Sequence, residues 1–126
     1  MAKSKRRTRR PEPVTFETVR QVALELPGAE ESMSYGTPAF KVRGKLFVRL
    51  HQSGDSIVIG IDRDERAMRM KADPETCHIT DHYANYPWML VRLDTVRRDD
   101  LREFLRESWR RVALPGLIAE YEAESS

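Results

Sequence analysis

The sequence contains a single cysteine, Cys77, among its 126 residues. One cysteine cannot form a disulfide within the chain, and this composition is typical of a reducing compartment. No apolar run approaches the roughly 20 residues of a membrane-spanning helix. The positively charged start is not followed by the apolar stretch of a signal peptide. We therefore expect a cytoplasmic protein with no membrane partner.

Sequence signatures of catalysis are also missing. The chain has no phosphate-binding glycine loop, nucleophile motif or cofactor fingerprint. Cys77, His78 and His82 lie near one another, but structural zinc needs four ligands at set spacings. We therefore expect a protein that is not an enzyme and that binds no metal or cofactor.

Acidic residues are absent from the first ten positions, which carry six cations. These are Lys3, Lys5, Arg6, Arg7, Arg9 and Arg10. Removing these six from the 22 basic residues leaves 16 against 20 acidic residues, a net charge of −4 for the rest of the chain. Residues 1–13 have too little apolar surface to fold, which predicts a disordered basic tail before a single domain over residues 14–126. Such a tail either contacts phosphates or only solubilises the terminus, and both readings stay open.

Hydrophobic periodicity predicts a helix, then strands, then helices. A stripe at helical spacing follows Thr15, a suitable N-cap, and ends at Pro27-Gly28. Alternating patterns predict strands over residues 40–43 and 46–50, and further strands are predicted over 56–61, 77–79 and 88–93. Further helices are predicted over residues 62–71, from Asp99 onward, and over 117–122. The fold class is therefore α+β, a two-layer antiparallel β-sheet meander packed against N- and C-terminal helices.

The predicted hairpin is a candidate nucleic-acid surface. A three-residue loop pairing Val42 with Leu46 would turn Phe47 and Arg49 away from the helices. The surface would then consist of Lys41, Arg43, Lys45, Phe47 and Arg49. Cations around an aromatic ring suit a phosphate backbone. The alternative is a solvated strand face with the aromatic ring beneath a loop.

Aromatic and titratable residues concentrate between the last two predicted strands. With one residue further upstream, they form a candidate small-ligand site of Tyr35, His78, His82, Tyr83 and Trp88. His82 beside Asp81 is a conceivable general base, which keeps an enzyme as a third hypothesis. The alternative is loop packing, with tyrosine rings on an apolar edge and hydroxyls in water.

Several segments together resemble a known family. They are Leu26-Pro27-Gly28-Ala29-Glu30-Glu31, Tyr35-Gly36-Thr37-Pro38-Ala39-Phe40-Lys41-Val42, Gly44-Lys45-Leu46-Phe47, Tyr86-Pro87-Trp88-Met89-Leu90-Val91-Arg92-Leu93 and Ser108-Trp109-Arg110-Arg111-Val112-Ala113. Their order and spacing resemble the MmcQ/YjbR-like family over residues 14–121. The resemblance implies a double-wing, CyaY-like fold and a DNA-binding label, and it carries over no catalytic residues. Frataxin-like iron proteins share this fold class, but Arg20 between Glu17 and Glu25 argues against their row of carboxylates.

The first functional hypothesis is therefore a non-enzymatic, monomeric DNA-binding protein. Its tail and hairpin surface would contact phosphates with little base reading. The alternative is a small-ligand-binding protein that uses the loop from His78 to Trp88 and has no nucleic-acid role.

Overall fold

The computed structural model describes residues 13–125, so positions 1–12 of the predicted basic tail lie outside the described residues. The elements are α1 (Phe16–Leu24), β1 (Ala29–Ser34), β2 (Thr37–Val42), β3 (Lys45–Leu50), β4 (Ser56–Gly60), α2 (Arg63–Ala72), β5 (Cys77–His78), a 3₁₀ helix (Asp81–Tyr83), β6 (Trp88–Arg92), α3 (Arg98–Arg110) and α4 (Pro115–Ser125). Within this part of the chain, no helix is both long and apolar enough to cross a membrane.

The strands form one antiparallel sheet of six strands in the order β1-β2-β3-β4-β6-β5. Four helices accompany it, which confirms the predicted α+β class. Strand β1 was not predicted, because its sequence, Ala29–Ser34, is polar and lacks an apolar alternation. The last helix is longer than predicted because Pro115 suits a first helical turn, where no amide donor is needed.

One face of the sheet carries the main core, to which α1, α3 and α4 all contribute. Helix α1 begins as predicted at Thr15, whose hydroxyl accepts from the Thr18 amide while the Thr18 hydroxyl accepts from the Thr15 amide. The α3 stripe buries Leu101, Leu105 and Trp109. The Trp109 indole donates to the Pro27 carbonyl at 2.8 Å, which ties α3 to the end of α1.

The β2–β3 hairpin differs from the prediction. A two-residue turn with φ of 54° at Arg43 and 78° at Gly44 pairs Val42 with Lys45, the geometry of a type I′ turn. A bulge then restores Phe40 opposite Val48 and turns the intervening Phe47 into the core, fully buried. The predicted three-residue loop is therefore wrong, and so is the outward position of Phe47.

The other face of the sheet carries a smaller cluster. Val58 of β4 and Leu90 of β6 pair across the strands, and Tyr83 of the 3₁₀ helix packs on both. Arg49 lies on this same face, opposite Val58, yet it is only 3% exposed. The segment from Ile79 to Trp88 therefore covers part of the sheet face that the helices leave open.

Candidate functional site

Between this covering segment and the sheet lies a concavity of about 520 Å³, which we call the aromatic pocket. Its lining residues are Tyr35, Leu46, Arg49, His51, Gln52, Val58, Thr80, His82, Tyr83, Tyr86 and Trp88. Sites for small molecules are usually concave, mostly apolar and of a few hundred Å³, with a few placed polar groups. The aromatic pocket has this size and concave shape, with polar and apolar surface in nearly equal share.

Arg49 supplies the charge of the aromatic pocket. Its Nη2 donates to the Tyr83 hydroxyl at 2.7 Å, and its Nη1 donates to Thr37 Oγ1, Leu50 O and Gln52 Oε1 at 3.3, 3.1 and 3.2 Å. Its guanidinium carbon also lies 5.0 Å from the centre of the Tyr35 ring. All of these partners are neutral. Among residues 13–125, no carboxylate forms an ion pair with Arg49.

Arg66 of α2 fixes the wall of the aromatic pocket. Its Nη1 donates to the carbonyls of Tyr83, Tyr86 and Trp88 at 3.1, 2.7 and 3.0 Å. Its Nη2 donates to the Ala84 carbonyl at 3.2 Å. A turn segment has carbonyls without strand or helix partners, and a buried guanidinium can satisfy several of them at once. One helix residue therefore holds residues 83–88 in place.

Aromatic rings form the rim. The His82 ring stands edge-on to Tyr83 with centroids 4.7 Å apart, and it lies 6.2 Å from the Tyr86 ring. Tyr35 is 78% exposed and occupies a two-residue turn with Gly36, in which both residues have positive φ. Asn or Gly would be the ordinary residue at the position of Tyr35. The turn carries the Tyr35 ring over Arg49.

The two predicted sites meet at Arg49. Four of the five predicted ligand residues line the aromatic pocket, whereas His78 does not. The Nδ1 of His78 is buried with no hydrogen-bond partner in the described part of the chain. Burial, followed by the charge of Arg92, lowers the pKa of His78. Burial and the charge of Arg49 likewise lower the pKa of His51.

The structure does not bring the predicted nucleic-acid-binding residues together on one surface. Arg43 and Lys45 are exposed at the hairpin tip, and Lys41 is half-buried beside them. Phe47 belongs to the core and Arg49 to the aromatic pocket. The six predicted cations of the tail lie outside the described residues.

The structure offers little support for the general base and the metal site that the sequence analysis considered. Across residues 13–125, Asp81 makes no hydrogen bond to His82, and no three metal-ligating side chains cluster. Burial raises the pKa of the Cys77 thiol to about 11. Sequence patterns did not identify Arg66, Gln52 or Thr80 as site residues, because each lies in a segment whose composition is ordinary for its element.

Comparison with known proteins extends these observations. A family model described as YjbR matches residues 24–111. The structure is similar to the crystal structure of Deinococcus radiodurans protein DR2400, described with the domain DUF419. The TM-score is 0.71 and the sequence identity is 25%, over 86% of this chain and 85% of that one. No curated protein matches the sequence significantly.

Proposed function

The chain belongs to the YjbR family, and we propose that this member is a non-enzymatic protein that binds a small molecule in the aromatic pocket. The observation that carries the proposal is the pocket itself, about 520 Å³ in volume and lined by tyrosine, tryptophan and histidine around one buried arginine. Aromatic side chains together with placed polar groups in a concave site are typical of ligand sites.

Preorganisation of the wall supports the same proposal. Four carbonyl acceptors for Arg66 hold residues 83–88 before any ligand arrives. A site that is already ordered loses less conformational entropy on binding. A segment that served only to cover the sheet would not need a concave, fixed inner surface.

The composition of the lining supports binding rather than catalysis. Among the residues that the structure describes, its titratable groups are Arg49, two histidines and tyrosines, with no carboxylate. Acid–base catalysis generally uses groups held within hydrogen-bond reach of each other and of the substrate. The partners of Arg49 are instead arranged to hold its guanidinium still.

The test is a fragment screen by ¹H–¹⁵N NMR on the full chain. We expect some fragments to shift the signals of residues 80–88 and the Trp88 indole. Thr80→Trp should fill the aromatic pocket and abolish these shifts. Ala67→Trp is the matched control, because it adds the same side chain to an exposed position of α2. A screen in which no fragment shifts these signals would refute the proposal.

DNA binding is a second candidate, supported by the exposed Arg43 and Lys45 at the hairpin tip and the six cations of the first ten residues. These charges would contact phosphates and not read bases. If all six tail cations met phosphates, the slope of log affinity against log salt would be about −5.

Duplex DNA binding across a salt series tests this candidate. The full chain, a form lacking residues 1–10, and Arg43→Gln with Lys45→Gln would be compared. Lys71→Gln with Arg97→Gln is the control, since it removes two exposed charges elsewhere. Weaker binding by the hairpin variant than by the control favours a contact surface on the folded body. Loss of all binding on truncation reduces the interaction to the tail, and no binding by any form refutes it.

A further inference from the structure

We propose that the aromatic pocket is selective for planar aromatic carboxylates, held by the guanidinium of Arg49 and the ring of Tyr35; this inference rests on the proposed ligand-binding function. It names the chemical class of the ligand, which the fold and the family leave open.

The first argument is charge. Arg49 is 3% exposed, and within residues 13–125 it makes hydrogen bonds only to neutral groups. Buried charges in proteins are usually paired with an opposite charge. None of the described residues that line the aromatic pocket is acidic. The site is therefore one negative charge short, which favours an anion and disfavours a metal ion or an amine.

The second argument concerns the N–H groups of Arg49 that are left to bind a ligand. A guanidinium has five N–H groups in a planar fork. Nη1 shares its protons among three acceptors and Nη2 donates to the Tyr83 hydroxyl. Nε donates to no residue that the structure describes. Paired parallel donors match the two oxygens of a carboxylate, which explains the preference for this anion.

The third argument is shape. The Tyr35 ring lies over the guanidinium. The His82 ring lies 4.7 Å from the Tyr83 ring and 6.2 Å from the Tyr86 ring, and these three rings form the rim. Leu46 and Val58 make part of the lining apolar. Aromatic rings gain from offset or edge-on contacts with other rings. A flat ring carrying its carboxylate inward satisfies both the walls and the charge.

The experiment compares three compounds of nearly equal size by calorimetry and NMR on the full chain. They are 2-naphthoate, the neutral 2-naphthamide and the saturated decahydro-2-naphthoate. We expect 2-naphthoate to bind about tenfold more tightly than either of the others, because a charged hydrogen-bond pair or an aromatic contact is worth roughly this factor.

The outcomes separate this inference from the proposed function. Equal affinity for 2-naphthamide overturns the requirement for an anion, and equal affinity for the saturated acid overturns the requirement for a planar ring. In both cases the shifts of residues 80–88 would still support a ligand site. If other fragments shift these signals and 2-naphthoate does not, only the ligand class is wrong. If no compound does, both proposals fail.

Two variants identify the groups responsible. Arg49→Gln should remove the preference for naphthoate over naphthamide, whereas Arg43→Gln, an equal loss of charge outside the aromatic pocket, should leave it unchanged. Tyr35→Asn should weaken naphthoate about fivefold and spare the saturated acid, as expected for the loss of one ring contact. Asn tolerates the positive φ of this turn. If Arg49→Gln does not fold, an undiminished preference for naphthoate over the saturated acid in Tyr35→Asn is sufficient to overturn the inference.

Discussion

At the scale of single residues, Phe47 is the clearest case of a side chain whose position is decided by its neighbours in the ladder. Strict alternation would place it on the face opposite Val48, but the bulge puts both residues in the core. The extra residue of a bulge changes which face the following positions occupy. A hydrophobic residue on a predicted polar face was therefore a sign of an irregular register.

Truncation of Phe47 tests this burial. We expect Phe47→Ala to lower the free energy of unfolding by about 3–5 kcal/mol, because it leaves a cavity in a fully packed core. Urea denaturation followed by circular dichroism measures the change. Lys45→Ala, two positions earlier and exposed, should change it by no more than about 0.5 kcal/mol. A similarly small effect at Phe47 would mean that its ring is not in the core.

Cys77 predicts a dependence of stability on alkaline pH. Burial, with a smaller contribution from Asp73, raises the pKa of its thiol from 9.0 to about 11. As pH rises through 9.0, the unfolded chain loses this proton while the folded chain keeps it. Ionisation then favours unfolding, so this contribution to stability is complete below pH 9.0 and lost as pH approaches 11.

Thermal unfolding of the wild type and Cys77→Ala between pH 8 and 11 measures this effect. The wild type should lose more stability than the variant over that interval, and a parallel decline in the two proteins would contradict the prediction. Labelling of the native thiol by an aromatic disulfide at pH 8 should also be slow until denaturant is added, because the thiolate is the reactive form.

At the same scale, the burial of Arg49 and Arg66 could not be predicted from the sequence. Arg66 stands among charged residues in the sequence and Arg49 in an apolar strand from which it was predicted to point outward, and arginines are mostly exposed in proteins. Their burial depends on acceptors contributed from distant segments, such as the Tyr83 hydroxyl for Arg49 and the loop carbonyls for Arg66. No local pattern reports such partners.

At the scale of elements, strands and helices with strong apolar periods were predictable, and those held by backbone pairing were not. The helix from Phe16 carries a clear apolar stripe, and the strand from Trp88 is a continuous apolar run that begins after a proline. Strand β1 instead owes its place to six residue pairs with β2. The hairpin register required Arg43 to adopt positive φ, which an arginine does uncommonly.

The segment between β5 and β6 is held by α2, which gives an element-scale prediction for Arg66. We expect Arg66→Lys to lower the free energy of unfolding by about 1–3 kcal/mol, since an ammonium cannot reproduce the fork that serves four carbonyls. The NMR signals of residues 83–88 should broaden or disappear, while those of β3 and β4 remain.

Arg63 is the matched control in the same helix. It also donates to this segment, but only to the Asn85 carbonyl and from an exposed position. Arg63→Lys should therefore change the free energy of unfolding by no more than about 0.5 kcal/mol. Equal effects of the two lysine variants would show that Arg66 does not hold the wall of the aromatic pocket.

At the scale of the whole molecule, the two faces of the sheet are covered unequally. The helices bury one large continuous core, whereas the opposite face carries a cluster with three buried members, Val58, Tyr83 and Leu90. The predicted α+β class is confirmed, and the fold explains why four predicted ligand residues come together on the face opposite the main core. The depth of the aromatic pocket was not predictable, because it depends on how the covering segment is held above the sheet.

This asymmetry predicts how the molecule opens. Residues 80–86 should exchange their amide hydrogens through a local opening whose free energy lies several kcal/mol, on the order of half the global value, below that of the central strand β4. The reason is that separating them from the sheet exposes the small cluster and leaves the main core intact.

Hydrogen exchange followed by NMR measures both free energies in one sample, with the amides of Ile57 and Ile59 as the internal reference because both residues are fully packed. Saturating 2-naphthoate should raise the exchange free energies of the covering segment and of β4 by the same amount, since neither the locally opened nor the globally unfolded state binds it. Equal exchange free energies in the two regions, without ligand, would mean that the two sides of the sheet unfold as one unit.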